Sequence, residues 1–91
     1  MKKTILITGA SSGIGKETAK HFQAKGWNVV ATMRTPENEK ELTTLENVLV
    51  TKLDVLDIES IDMAISNGLS KFGKIDVLLN NAGYGAYGPL E

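Results

Sequence analysis

The chain has 91 residues, 42% of them hydrophobic and 23% charged, the balance of one small folded domain rather than of a disordered segment. Ten Lys and Arg against eleven Asp and Glu leave a formal charge of -1, without the clustered basic excess that a nucleic-acid surface needs. No cysteine and one histidine exclude disulfide frameworks, thiolate metal sites and His-based metal clusters, so no metal site is expected and chemistry must rest on hydroxyls, carboxylates, amides or a bound cofactor.

The N-terminus "MKKTILITGA" starts basic, but its apolar run is too short for a signal h-region or a membrane span, which predicts a cytoplasmic protein with no membrane association. The run "TILIT" at residues 4–8 reads as the first strand. It leads directly into "TGASSGIG" at residues 8–15 and then a helical segment over residues 13–25.

A strand that hands over to a helix through three glycines has a physical use. Backbone amides at a helix N-terminus lack intrahelical partners, and the helix dipole adds about half a positive charge there, so phosphate binds without a basic side chain. Gly9 permits the tight turn out of the strand, Gly13 removes a Cβ from the path of a pyrophosphate, and Gly15 lets the helix pack close. Ser11 and Ser12 add hydroxyl donors. Five residues separate Gly9 from Gly15, and Lys16 precedes Glu17, so the loop is not a P-loop. Serines at positions 11 and 12 also rule out G-x-G-x-x-G, and the pattern present is T-G-x-x-x-G-x-G. His21, between Lys20 and Lys25 on the first helix, reads as a solvated helix residue.

Next comes "WNVVATM" at residues 27–33, a second strand ending at Arg34. Thr35-Pro36-Glu37 then opens a weakly apolar helical segment over residues 36–45. The third strand, "NVLVTKLDV" over residues 47–55, carries Asp54 at its end, where a carboxylate accepts the exocyclic amine of an adenine or else turns the chain. The third helical segment, residues 57–72, places Ile58, Ile61, Ile65, Leu69 and Phe72 on one face, with Asp57 as its cap and Gly73 as its stop. The fourth strand, "IDVLLNN" over residues 75–81, ends in Asn80 and Asn81, one expected to tie neighbouring strands and the other to face a ligand.

The alternation is β-α-β-α-β-α-β. Strands that read as continuous apolar runs predict an α/β fold with a doubly wound parallel sheet, Rossmann-like, in the order 3-2-1-4. The glycine loop then lies beside the switch point between strands 1 and 4. "NNAGYGAYGPLE" stops just after Gly88-Pro89, as if another helix were starting, and predicts that residues 1–91 are the N-terminal part of one dinucleotide-binding domain, cut before its remaining strands.

"TGASSGIG", Asp54-Val55 after the third strand and Asn80-Asn81-Ala82-Gly83 after the fourth occur in order on suitable elements. Together they resemble the short-chain dehydrogenase/reductase family over essentially the whole chain. The resemblance implies cofactor contacts from Gly9, Ser11, Ser12, Gly13, Ile14 and Gly15, from Asp54 and Val55 at the adenine, and from Asn81, Ala82 and Gly83 at the ribose. It also implies an oxidoreductase that exchanges hydride between a nicotinamide and a small-molecule carbonyl or secondary alcohol.

In such sheets an acid at the end of the second strand binds the adenosine 2'-hydroxyl, whereas a nearby Arg accommodates a 2'-phosphate. This chain reads Ala31-Thr32-Met33-Arg34, with no acid until Glu37, so the expected cofactor is NADP rather than NAD. The family's catalytic Ser and its Y-x-x-x-K pair have no counterpart here, since neither Tyr84 nor Tyr87 has Lys four residues on. No catalytic residue is therefore assigned, and the 91 residues alone are expected to be inactive. Relatives associate through later helices, so a homo-oligomer would form through regions beyond this chain. The competing reading is a non-catalytic nucleotide-binding module. A phosphoacceptor receiver needs acids after the first strand, where Thr8-Gly9-Ala10 stands instead.

Overall fold

Aliphatic and β-branched runs form the centre of the computed structural model, which describes residues 2–11 and 13–81. In chain order these residues form β1 (Thr4–Ile7), α1 (Gly13–Ala24), β2 (Asn28–Met33), two 3-10 turns (Pro36–Asn38 and Leu42–Thr44), β3 (Val48–Lys52), α2 (Ile58–Phe72) and β4 (Val77–Leu79). All strand pairs are parallel, in the order β3-β2-β1-β4. This is the doubly wound, Rossmann-like arrangement expected from the sequence. Ile7 stands beside Ala31 on one side and Leu79 on the other, so the loop after β1 emerges between its neighbours' ends.

The alternation of side chains along each strand divides the core into two layers. Ile5, Ile7, Val29, Ala31 and Met33 pack with Ala19 of α1, Phe22 and Trp27. Leu6 and Val30 point the other way and pack with Ala64, Ile61, Ile65 and Phe72 of α2. Because β1 and β2 are covered on both faces, nearly all of their residues are buried. β3 and β4 are the sheet edges among the described residues, and Leu78 on β4 is 61% exposed.

Two expectations are corrected. The helix predicted over residues 36–45 is two 3-10 turns. The segment has few apolar residues to drive a longer helix, and polar side chains satisfy its backbone locally: Glu39 accepts from the amides of Glu41 and Leu42, while the Thr43 and Thr44 hydroxyls donate to the carbonyls of Lys40 and Glu41.

The predicted face of α2 is also rotated. Ile61, Ile65 and Phe72 do pack on the sheet, but Ile58 is 75% and Leu69 45% exposed. The innermost line is Ser60, Ala64 and Gly68, one turn apart. These small residues let the helix approach closely: a Cβ on Gly68 would lie 2.9 Å from Val30 Cγ2. The caps are as expected, with the Asp57 carboxylate accepting from the Glu59 amide at 3.1 Å and Gly73 closing α2 at φ 84°. Among the described residues, no helix is long and apolar enough to cross a membrane.

Candidate functional site

The parallel sheet brings the carboxyl ends of its strands to one edge, and the sequence-predicted residues follow those ends: Gly9 after β1, Arg34 after β2, Asp54 after β3, and Asn80 and Asn81 after β4. The loop after β1 is stitched to both neighbouring strands. The Thr8 amide donates to the Leu79 carbonyl at 3.0 Å and the Thr8 hydroxyl to Asn80 Oδ1 at 3.0 Å. On the other side the Ala10 amide donates to the Thr32 carbonyl at 3.0 Å, and the buried Thr32 hydroxyl returns a 2.8 Å bond to the Ile7 carbonyl.

The three glycines have separate reasons. Gly9 and Gly13 adopt φ of 66° and 60°, the left-handed region that L side chains disfavour. Among the described residues, a Cβ on Gly13 would meet nothing within 4 Å, so their packing leaves that side of the loop open. Gly15 is different. A Cβ there would collide with the Gly9 carbonyl oxygen and stand 2.6 Å from Asn81 Nδ2. The helix start is therefore pressed against its own loop and against the end of β4. Ser11 and Ile14 are exposed beside the loop.

Asn81 donates its side-chain amide to the Gly9 carbonyl at 3.1 Å. Both asparagines thus join β4 to the segment after β1, where one had been expected to tie strands and the other to face a ligand. Asp54 combines the two roles weighed for it: it sits at the strand-end edge, but its Oδ1 accepts from the Leu56 amide at 3.0 Å and so shapes the 54–57 turn. The Asp54 amide donates to Ser60 Oγ at 2.9 Å, tying this turn to α2. Val55 is exposed. Arg34 is also exposed and makes no ion pair among the described residues. Ser12, Ala82, Gly83, Tyr84 and Tyr87 lie outside the described residues.

Sequence reasoning missed a charged clasp behind the loop. Lys16, in the first turn of α1, pairs with Glu39 at 3.3 Å and Glu41 at 3.1 Å, and Lys20 pairs with Glu41 at 2.6 Å. The Glu39 side chain is only 3% exposed, and its Oε2 accepts from the amides of Leu42 at 2.7 Å and Glu41 at 2.9 Å. Burial pushes the Glu39 carboxyl up, but the two amides and Lys16 outweigh it and hold the group below the ordinary carboxylate range. Hydrogen bonding to Lys20 and then Lys16 lowers Glu41, and the glutamates raise both lysines, with Glu41 the largest cause. The one local signal was spacing: Lys16 and Lys20 stand one turn apart on a helix, facing a segment rich in Glu.

An open depression of about 660 Å³ runs along the start of α1, lined by Gly13, Ile14, Lys16, Glu17, Thr18 and His21. Four of these residues are exposed, so it is a surface feature of the helix rather than an enclosed pocket. His21 is among them, its ring edge-on to Phe22 at 5.6 Å.

The model of the short chain dehydrogenase family matches residues 3–91. An uncharacterized oxidoreductase of Schizosaccharomyces pombe is 41% identical over 90 residues, covering 97% of this chain and 30% of that protein. Among solved structures, a short-chain dehydrogenase from Streptomyces avermitilis superposes with a TM-score of 0.80 at 37% identity, over 89% of this chain and 31% of that one. A 3-ketoacyl-(acyl-carrier-protein) reductase from Brucella melitensis, complexed with NADH, superposes with a TM-score of 0.78 at 37% identity, over 84% of this chain and 32% of that one. The chain spans about a third of the length of the curated relatives it matches.

Proposed function

Because the chain belongs to the short-chain dehydrogenase family, we propose that it is the N-terminal, NADP(H)-holding part of a longer oxidoreductase acting on a small-molecule carbonyl or secondary alcohol. The observation that carries this reading is the convergence of the glycine loop, Arg34, Asp54 and Asn81 at one edge of the sheet. In open α/β sheets that edge, beside the point where strand order reverses, is where dinucleotides lie.

The described residues fit such a cofactor. The left-handed Gly9 and Gly13 and the open side of the loop at Gly13 leave room for a pyrophosphate at the start of α1, with the Ser11 hydroxyl beside it. Asn81 and Gly15 hold that loop in one shape. Arg34, exposed and unpaired among the described residues, offers a planar fork of donors to a 2'-phosphate, which supports NADP over NAD. Asp54 and Val55 stand at the end of β3 for the adenine, while Asn81, Ala82 and Gly83 are assigned to the ribose.

When bound, the nicotinamide supplies or takes the hydride exchanged with the substrate carbon. The contribution of these residues is to bind and orient: the loop fixes the phosphates, and the strand ends fix the adenosine, so that the far end of the dinucleotide meets the rest of the enzyme in a constant position. The general acid/base chemistry is assigned to residues beyond position 91, and no described residue takes a catalytic role in this reading.

Titration of the protein with NADPH and NADH, followed by nicotinamide fluorescence, tests it. Saturable binding with NADPH the tighter ligand is expected; binding of neither would overturn the cofactor assignment, and tighter NADH would overturn the choice of NADP.

A further inference from the structure

We infer that Glu39 is a positioning residue for cofactor discrimination: its buried carboxylate, clasped by Lys16, fixes the β2–β3 connection against the start of α1 and so presents Arg34 to the adenosine end of the dinucleotide. This inference rests on the NADP(H) reading and adds to it a residue that contacts Arg34's segment rather than the cofactor.

Arg34 is held from its two flanks along the chain. Its guanidinium has no ion-pair partner among the described residues, so its position depends on its backbone. On one side that backbone continues β2, where Met33 pairs with Lys52 and accepts from the Leu53 amide at 2.9 Å. On the other, residues 35–39 form a tight 3-10 turn closed by bonds from the Asn38 amide to the Thr35 carbonyl at 3.1 Å and from the Glu39 amide to the Pro36 carbonyl at 3.0 Å. Arg34 therefore sits in a short span whose far anchor is Glu39.

Glu39 suits that task because it joins two elements. Its Oε2 gathers the amides of Glu41 and Leu42, which shape the second 3-10 turn, and it meets the Lys16 ammonium one residue after Gly15. A carboxylate this buried is tolerated only while such partners remain, so the connection is held in register with the glycine loop. Leu42, fully buried, anchors the same connection further on, but Glu39 is the anchor nearest Arg34. An Arg carried on a fixed span loses less freedom when a phosphate binds it than one on a loose loop.

A simple charge effect and a positioning effect have opposite signs here. Glu39→Gln removes a negative charge from the segment that carries Arg34, which by electrostatics alone would tighten a 2'-phosphate ligand; if Glu39 positions Arg34, the same change weakens that ligand.

The experiment is equilibrium binding of 2',5'-ADP and 5'-AMP to the protein and to Glu39→Gln, Lys16→Met and the double variant. For Glu39→Gln the dissociation constant of 2',5'-ADP is expected to rise about threefold to tenfold while that of 5'-AMP stays within about twofold, with Lys16→Met giving the same split and the double variant no more than either. Lys16→Met leaves both amide bonds to Glu39 in place and serves if the Gln variant does not fold, read there by its salt dependence because it also removes a positive charge. A loss of 2',5'-ADP affinity that persists as ionic strength rises supports positioning, whereas a loss screened out by salt is the missing charge of Lys16 and overturns the role of the clasp. Unchanged or tighter 2',5'-ADP binding in the variants, with the parent protein still preferring 2',5'-ADP, overturns the role of Glu39 and leaves the NADP reading standing. A parent protein that does not distinguish the two nucleotides overturns that reading and this inference together.

Discussion

The Asn81 side-chain amide donates to the Gly9 carbonyl oxygen at 3.1 Å, joining residues 72 positions apart, and that same oxygen is the atom a Cβ on Gly15 would strike. Two motifs at opposite ends of the described chain are therefore parts of one joint. The loop after β1 owes its shape to β4 as much as to its own glycines.

Gly15→Ala should thus be costly in a way that helix propensity does not foresee, since alanine is the better helix former. The nearest atoms are backbone and a hydrogen-bonded amide, neither of which swings aside, so a loss of about 1–3 kcal/mol is expected in urea denaturation, together with loss of dinucleotide binding. A variant as stable as the parent would show that the joint is looser than the geometry indicates.

Gly13 should respond differently. A side chain there has room but must adopt φ near 60°, so Gly13→Ala is expected to cost roughly 1–2 kcal/mol and Gly13→Asn distinctly less, because Asn tolerates the left-handed region. Gly13→Asp should add a binding defect beyond its stability cost by setting bulk and negative charge in the phosphate path. Equal dinucleotide affinity for the Asp and Asn variants would remove Gly13 from the proposed site.

Arg34→Ala tests the proposed choice of cofactor. A charge-assisted pair to a 2'-phosphate is worth roughly 1.5–3 kcal/mol, so NADPH affinity should fall about tenfold or more while NADH affinity changes little. Parallel losses for both cofactors would mean that Arg34 does not read the phosphate.

The clasp predicts a pH dependence. Glu39 and Glu41 are held below the ordinary glutamate value of 4.5, so the unfolded chain binds more protons on acidification. Their contribution is complete above that value and is lost as pH falls through the lowered folded values. Lys16 and Lys20 are raised above 10.5, so their contribution is complete below that pH and is lost as pH climbs through the raised folded values. Asp76, lowered chiefly by the Thr4 amide, adds its own acid limb, so the clasp is isolated by subtraction. The stability difference between the parent and Lys16→Met should be flat between these limits and shrink on acidification. A difference that persists unchanged down to about pH 3 would speak against the clasp.

The main elements were legible because their causes are local. The runs at β1 and β2, Asp57 and Gly73 at the ends of α2, and the glycines at positions 9 and 13 act through spacing, caps and backbone freedom that neighbouring residues display. The strand order followed from the few ways a chain of alternating strands and helices can wind a parallel sheet. The grouping of the loop, Arg34, Asp54 and Asn81 at one edge came with that order.

Other features depend on which groups compete for burial and on contacts between distant residues. The spacing of Ile58 and Leu69 suggested they would face the core, yet Ser60, Ala64 and Gly68 lie innermost because a helix crossing Val30 settles deepest on its smallest side chains. Residues 36–45 carried a proline and a plausible cap, but Glu39 found better partners in two nearby amides and in Lys16 than a continuous helix would allow. Periodicity and motif spacing were enough to identify the four strands, the two long helices and the loop. Helix rotation, the buried acid and the bond from Asn81 to Gly9 were decided only when the sheet brought those residues together, because short-range packing and hydrogen bonding depend on distances in space that spacing along the chain does not encode.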